Sequence, residues 1–260
     1  MGVFEEAVRE QAKLRLALAG PAGSGKTMSA LRIAKGMAEI LGCQIGVIDT
    51  EKKSSALYAG KNVKGRLMPD GWVLKFAVLP FNPPFEPKKY VRGIKVAEEE
   101  GIGILIIDSI SHEWNGQGGV LEMVDAAAKG QKNAYTAWKV PSEEHTKFVE
   151  AILQSPLHII ATIRSKTAYE VVERNGRKVP EKIGLAPVQR EGMDFEFSTV
   201  LDLSVDGHVA LASKDRTGLF DGIPRVLTEE TGKMMIRWLK DEPQEEEWQN
   251  VDAVADKKPA

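Results

Sequence analysis

Gly20, Gly25, Lys26 and Thr27 stand at the spacing G-x-x-x-x-G-K-T within Gly20-Pro21-Ala22-Gly23-Ser24-Gly25-Lys26-Thr27, and Met28 follows. Glycines in such a loop let successive backbone N–H groups turn toward one centre. A helix opening at Lys26 adds its free N–H groups and the positive end of its dipole. The result is a cradle for a polyphosphate, built from residues 20–28. In it the Lys26 ammonium reaches the β- and γ-phosphates and the Thr27 hydroxyl takes a place on Mg²⁺. The expected cofactors are ATP and Mg²⁺.

A second chemical group closes the apolar run Ile102-Gly103-Ile104-Leu105-Ile106-Ile107. Asp108 at its end has the setting of a Walker B carboxylate, which holds Mg²⁺ beside the phosphate loop. Many hexameric motors place a catalytic glutamate directly after this aspartate, but Ser109 stands there, so the base must come from elsewhere. Glu51 is the natural candidate to polarise an attacking water, because it follows the strand-like run 44–49. Glu113 is the reserve.

These groups need a frame. Residues 14–19 read as a buried strand, and Ala30, Leu31, Ile33, Ala34 and Met37 fall at helical spacing after the loop. Residues 72–79 alternate like a strand, a turn with Pro80, Pro83, Pro84 and Pro87 follows, and 88–100 has helical character. The run 157–163 predicts another buried strand ending at Arg164-Ser165-Lys166. Asn175-Gly176 between two extended stretches is a hairpin signal, and 195–203 with 208–213 form a strand pair about Asp206-Gly207. A closing amphipathic helix over 228–240 buries Met234, Met235, Trp238 and Leu239. The β/α alternation predicts a three-layer α/β domain with a mostly parallel central sheet.

Composition bounds the rest. A chain of 260 residues, 43% hydrophobic, suits one sizeable domain with extensions. We expect an arm over 1–13, a core over 14–240 with a projecting hairpin at 165–183, and a solvated acidic tail over 241–260. The tail carries a local charge of −5 within a net −2, which leaves the remainder at +3. The lone Cys43 excludes an intramolecular disulfide and fits a reducing cytoplasm. His112, His145, His158 and His208 show no metal-ligand spacing. No run reaches the roughly eighteen apolar residues of a membrane span, and Met1-Gly2-Val3-Phe4-Glu5-Glu6 is too acidic for a signal peptide, so a cytoplasmic protein without membrane contact is expected.

Lys166, Arg174, Arg177, Lys178 and Lys182, with Tyr169 among them, make the hairpin basic and aromatic. That combination suits phosphate contacts and base stacking on single-stranded DNA.

The chain resembles the RecA-like ATPases, and more closely the phage AAA-family ATPases that accompany single-strand annealing and recombination. The resemblance rests on GPAGSGKT, IDTE with Glu51, LIIDS with Asp108 and the run KIGLAPVQREGMDFEFSTVLDL, and covers most of 14–239. It implies that Glu51 is the catalytic glutamate. It further implies that Lys214 and Arg216 act as fingers on a neighbouring subunit's γ-phosphate in a homo-oligomeric ring or filament. A single-strand-binding protein is among the implied partners. RecA senses the γ-phosphate with a glutamine near the end of the 157–163 strand; here Thr162 or Arg164 would serve. A small-molecule kinase, an ATP-gated DNA-binding module and a helicase-like motor share the same phosphate loop.

Overall fold

The computed structural model describes residues 12–61, 73–129, 134–174 and 177–242. Most of the expected arm and of the acidic tail, and Trp72, lie outside the described residues.

The chain opens with strand β1 (Arg15–Gly20), buried along its whole length, and turns through the loop into helix α1 (Lys26–Leu41). Strand β2 (Gln44–Asp49) follows. The single strand expected over 72–79 is two. The short β3 (Gly60–Lys61) pairs with β4 (Val73–Leu74) in a separate ribbon, while β5 (Ala77–Pro80) joins the main sheet. The side chain of Leu74 packs with the α1 face of the core, which ties the ribbon down. Helix α2 (Pro87–Glu99) begins on Pro87, whose fixed φ and missing N–H suit a first helical turn. Strand β6 (Ile102–Asp108) leads to the short helices α3 (Ser111–Asn115), α4 (Val120–Ala128) and α5 (Ala134–Ala137), and then to α6 (Lys139–Gln154).

Strand β7 (His158–Arg174) does not end at Arg164 as the sequence suggested. Its first part pairs with β1 and β6, and from Ser165 onward it pairs antiparallel with β8 (Arg177–Pro187). The hydrogen-bonding partner changes while the extended backbone continues. Strand β9 (Thr199–Leu203) starts later than Phe195, because residues Met193–Glu196 form a single 3₁₀ turn. Strands β10 (Val209–Asp215) and β11 (Arg225–Val226) and helix α7 (Glu229–Leu239) complete the described chain.

The main sheet runs β11-β10-β9-β1-β7-β6-β2-β5, with β8 attached to β7. Pairings from β9 through β5 are parallel, and β10 and β11 form an antiparallel edge. Alternation along β1 builds two cores. Leu16 and Leu18 face the α1/α7 layer with Ile33, Met37, Met235 and Ile236, whereas Ala17 and Ala19 face the α2/α6 layer with Ile94, Phe148 and Ile152. The three-layer α/β expectation therefore describes the molecule. Its parallel strands all end at one edge, beside the phosphate loop.

Candidate nucleotide site

The loop after β1 is held open by glycine. Gly23 and Gly25 have φ of 81° and 87°, left-handed values that a Cβ disfavours, and Gly25 is the residue at which α1 starts. Lys26 folds back over the loop, donating to the carbonyls of Gly20 at 2.8 Å and Pro21 at 2.7 Å. Burial pushes its pKa below the ordinary lysine value, while Asp108 and Glu51 pull it back up. Ser24 is fully buried, and its hydroxyl has no hydrogen-bond partner.

Asp108 reaches the loop from β6, two strands away. Its Oδ2 accepts from the Thr27 hydroxyl at 2.6 Å and its Oδ1 from the Thr162 hydroxyl at 2.5 Å. Burial holds its carboxyl above the usual range, and the two threonine bonds oppose that shift. Thr162 is fully buried beneath Asp108 and is not part of the cavity wall. Its expected role as a direct phosphate sensor is corrected: its hydroxyl is committed to orienting Asp108.

Glu51 is presented by a loop that Asp49 ties together. The buried Asp49 carboxylate accepts from the backbone N–H groups of Glu51 at 2.8 Å, Lys53 at 3.1 Å and Ser55 at 3.0 Å, and from the Ser55 hydroxyl. Thr50 locks the same loop to the end of β6, donating to the Asp108 carbonyl at 2.9 Å and accepting from the Ser109 N–H at 2.8 Å. So held, Glu51 meets Arg164 in a two-pronged ion pair, Nε to Oε1 at 2.9 Å and Nη2 to Oε1 at 2.6 Å, with a further contact from Nη2 to Oε2. Arg164 is level with Gly20 in the sheet register, which explains why it reaches the site.

Glu113, the reserve base, is excluded by its surroundings. It is fully buried, its carboxylate is shared between His145 at 3.0 Å and Gln189 at 3.3 Å, and it does not line the cavity. A carboxylate so enclosed cannot meet a water over the phosphate loop.

One cavity of about 800 Å³ joins Lys26, Thr27, Met28, Glu51, Asp108 and Arg164. Sequence reasoning did not find Arg32, Tyr58, Asn115, His208, Val226 or Leu227, which also line it. None carries a local signal, since each arrives by tertiary packing. The volume lies in the range of ordinary ligand pockets. A hydroxyl and a carboxylate oxygen at contact distance make a hard-cation donor pair that fits Mg²⁺, which takes one or two protein oxygens and completes its shell from phosphate and water. Among the described residues no cluster of three or more His, Cys, Asp or Glu could hold a metal ion by itself.

Lys214 and Arg216 lie elsewhere. The antiparallel register sets Asp215 opposite Thr199, and Thr199 beside Leu16 at the start of β1. They therefore sit at the far edge of the sheet, about 13 Å of strand from the loop. The Lys214 ammonium donates to the carbonyls of Asp194 at 3.2 Å and Phe195 at 2.6 Å, and Arg216 is exposed. Neither lines the cavity, so neither serves the site of its own chain.

Lys166 is exposed on β7 just past the site. The backbone of the hairpin sets Tyr169 opposite Lys182 and Arg174 opposite Arg177, with Lys178 next in line. The side chains of Tyr169, Arg174, Arg177, Lys178 and Lys182 lie outside what the structure describes. Among the described residues no helix is long and apolar enough to cross a membrane.

A search of curated proteins gave no match. Among solved structures, a KaiC-like protein of the hyperthermophilic archaeon Pyrococcus horikoshii OT3 is similar, with a TM-score of 0.41 and 20% identity over 77% of this chain and 78% of that one. A family model described as an AAA domain matches residues 12–237, a span containing the phosphate loop, Glu51, Asp108 and Arg164, and the chain therefore belongs to that family.

Proposed function

We propose that the protein is a Mg²⁺-dependent ATP hydrolase. The observation that carries this reading is the meeting of Lys26, Thr27, Asp108 and Glu51, from three strand ends, around one cavity. The backbone N–H groups of the loop and the Lys26 ammonium bind the β- and γ-phosphates. Thr27 and Asp108 would hold Mg²⁺, which when bound neutralises charge on the phosphates. Glu51, released from Arg164, orients a water for in-line attack and takes its proton, while Arg164 turns its guanidinium toward the γ-phosphate.

The wider reading is a homo-oligomeric, RecA-like ATPase acting on single-stranded DNA in phage-type recombination or annealing, in the cytoplasm, with a single-strand-binding protein as a candidate partner. Two features support it. The strand that carries Arg164 continues into the basic hairpin, so DNA held there would pull on a residue of the site. Lys214 and Arg216 are remote from their own loop, and the exposed Arg216 can meet a neighbour's.

The test is hydrolysis and nucleotide binding by wild type and Glu51→Gln, with and without single-stranded DNA. Wild type should turn over ATP, faster with DNA, and Glu51→Gln should bind normally while turnover falls about a hundredfold or more. Undiminished turnover in Glu51→Gln would remove the base assignment, and a rate indifferent to DNA would remove the DNA reading.

A further inference from the structure

One histidine beside the site takes no part in the mechanism above. His112 is half-buried on α3, one residue before the enclosed Glu113, and it does not line the cavity. Its Nδ1 lies 2.7 Å from the Thr50 hydroxyl oxygen, and its ring stacks on Phe85 with centroids 4.9 Å apart and planes 18° from parallel. Thr50 is the residue directly before Glu51. We infer that His112 is a positioning residue for hydrolysis, which fixes Thr50 from the α3 side and, through Thr50, the direction in which Glu51 points. The inference rests on the assignment of Glu51 as the base.

The hydrogen bonds at Thr50 define what the imidazole supplies. A threonine hydroxyl has one hydrogen to give and two lone pairs to receive. The hydrogen goes to the Asp108 carbonyl at 2.9 Å and one lone pair receives the Ser109 N–H at 2.8 Å, which leaves the second lone pair for a donor. His112 fills it with Nδ1–H. Burial holds the imidazole below the ordinary histidine pKa, with the positive charge of Arg164 adding to the shift and Glu51 opposing it, so the donor at pH 7 is the neutral ring. The support behind this donor is fixed. On α3 the next residue, Glu113, is bound by His145 of α6 and by Gln189 beyond β8, and the Phe85 N–H under the imidazole donates to the Gln117 carbonyl at 2.7 Å.

The restraint matters most when Arg164 is engaged elsewhere. In the proposed reaction its guanidinium turns to the γ-phosphate, and the Glu51 side chain loses the partner that orients it. The aim of Glu51 then depends on the backbone at residues 50 and 51. Lys52 and Lys53, which follow, hold left-handed φ values of 55° and 64°, uncommon for residues with side chains, so the chain leaves Glu51 in a conformation that must be held by its surroundings. Asp49 holds the amides of this loop from the end of β2. Thr50, seated by His112, holds it from the end of β6.

Turnover and ATP affinity of two variants separate a hydrogen-bonding role from a packing role. His112→Asn puts an amide nitrogen near the place of Nδ1 but removes the ring, whereas His112→Phe keeps a ring against Phe85 but removes the donor. A misplacement of about 1 Å in a reacting group can cost about a hundredfold, and a smaller error follows from one lost bond. His112→Phe should therefore lower kcat about tenfold with ATP affinity within about twofold, and His112→Asn should recover kcat to within about threefold of wild type. A ring that only packs predicts the opposite order. In a Glu51→Gln background, His112→Phe should lower the residual rate no further, because both changes act through one group. The inference is overturned if His112→Phe turns over ATP as wild type does, if the two variants lose kcat equally, if affinity falls in step with kcat, or if the loss multiplies with that of Glu51→Gln. If instead Glu51→Gln alone keeps full turnover, it is the base assignment that falls, and the role of His112 in aiming it falls with it.

Discussion

Replacing Gly36 by alanine would drive a methyl group into the backbone of α7. An ideal Cβ at Gly36 comes to 1.8 Å from the Glu229 carbonyl oxygen, and one at Gly232 comes to 2.0 Å from the Ile33 carbonyl oxygen. The two glycines thus let α1 and α7 cross with their main chains nearly touching. Relief requires a shift of more than 1 Å, since real Cβ atoms keep at least 3.0 Å from such neighbours. The obstacle is backbone, so no rotamer change absorbs it and a whole helix must move. That shift loosens the contacts of Ile33 and Met37 with Met235 and Ile236, and a gap of roughly 0.5–1 Å already forfeits a quarter to a half of each dispersion well. Overpacking typically costs about 1–3 kcal/mol, and this case belongs at the upper end. Alanine's better helix propensity returns about 1 kcal/mol. The net expectation is destabilisation of about 2 kcal/mol for either single substitution. One displacement relieves both clashes, so the double variant should cost about 1 kcal/mol less than the two singles added. Urea unfolding supplies the measurement, through a lowered midpoint at constant slope. Because α1 begins with Lys26 and Thr27, and the end of α7 that moves carries Glu229, ATP affinity should fall too. A single variant within 0.5 kcal/mol of wild type, or strict additivity in the double, would refute the tight-crossing argument.

Three further outcomes are expected. Asp108→Asn should abolish the Mg²⁺ dependence of nucleotide binding. In wild type the raised carboxyl pKa favours the protonated ligand-free form at low pH and loses that contribution as pH rises through it, so the thermal shift from Mg²⁺ and nucleotide should shrink as pH falls toward that pKa and stay flat in Asp108→Asn. His158 is pushed down from 6.5 to about 4 by burial, with Lys13 and Arg15 adding to the effect, and its Nδ1 accepts the Leu14 N–H at 3.1 Å. A depressed histidine stabilises the fold above its unfolded pKa and loses that contribution as pH falls from 6.5 through 4. Roughly 3 kcal/mol should therefore disappear across that window, and His158→Asn should flatten the urea midpoint there. Glutamate in place of Arg174, Arg177 and Lys178 together should abolish single-strand binding measured by fluorescence anisotropy, with basal hydrolysis retained; unchanged affinity would show that the hairpin does not hold DNA.

What the sequence made legible was whatever is local. The phosphate loop is a contiguous pattern with a strand before it and a helix after it, and Asp108 closes an unbroken apolar run, so both were placed by spacing alone. Its place after the run 44–49 marks Glu51 as a strand-end residue, but nothing local marks the agent that fixes it. Asp49 looks like any carboxylate at a strand terminus until its three backbone donors are seen. Glu113 misled for the opposite reason. Its partner His145 is 32 positions away, and nothing in its neighbourhood marks it as buried. The continuation of β7 past Arg164 was hidden because apolar periodicity stops where the strand leaves the core, although hydrogen bonding does not. Lys214 and Arg216 were recognised as a pair, yet their distance from the loop follows from the antiparallel register of β10, which no spacing encodes.

Each group assigned to the chemistry has a partner of the opposite kind. Lys26 rests on two carbonyls, Thr27 on Asp108, and Glu51 on Arg164. These pairings orient the charges, and they also occupy the atoms that the proposed reaction needs. Their strengths differ in a useful way. The Thr27–Asp108 contact is largely buried and reinforced by Thr162, so its geometry persists, and these two residues would hold Mg²⁺ there. The Glu51–Arg164 pair is the open one, with side-chain exposures of 25% and 45%. Pairs in such settings contribute about 1 kcal/mol, which a nearby γ-phosphate carrying more negative charge than a carboxylate can outbid for Arg164. On the proposed mechanism, then, arrival of the triphosphate itself frees Glu51, and freeing it costs no more than about a tenfold loss of the competent state. The same pair lies at the foot of the strand that becomes the hairpin, so any ligand that shifts that strand acts on the weakest of the three contacts first.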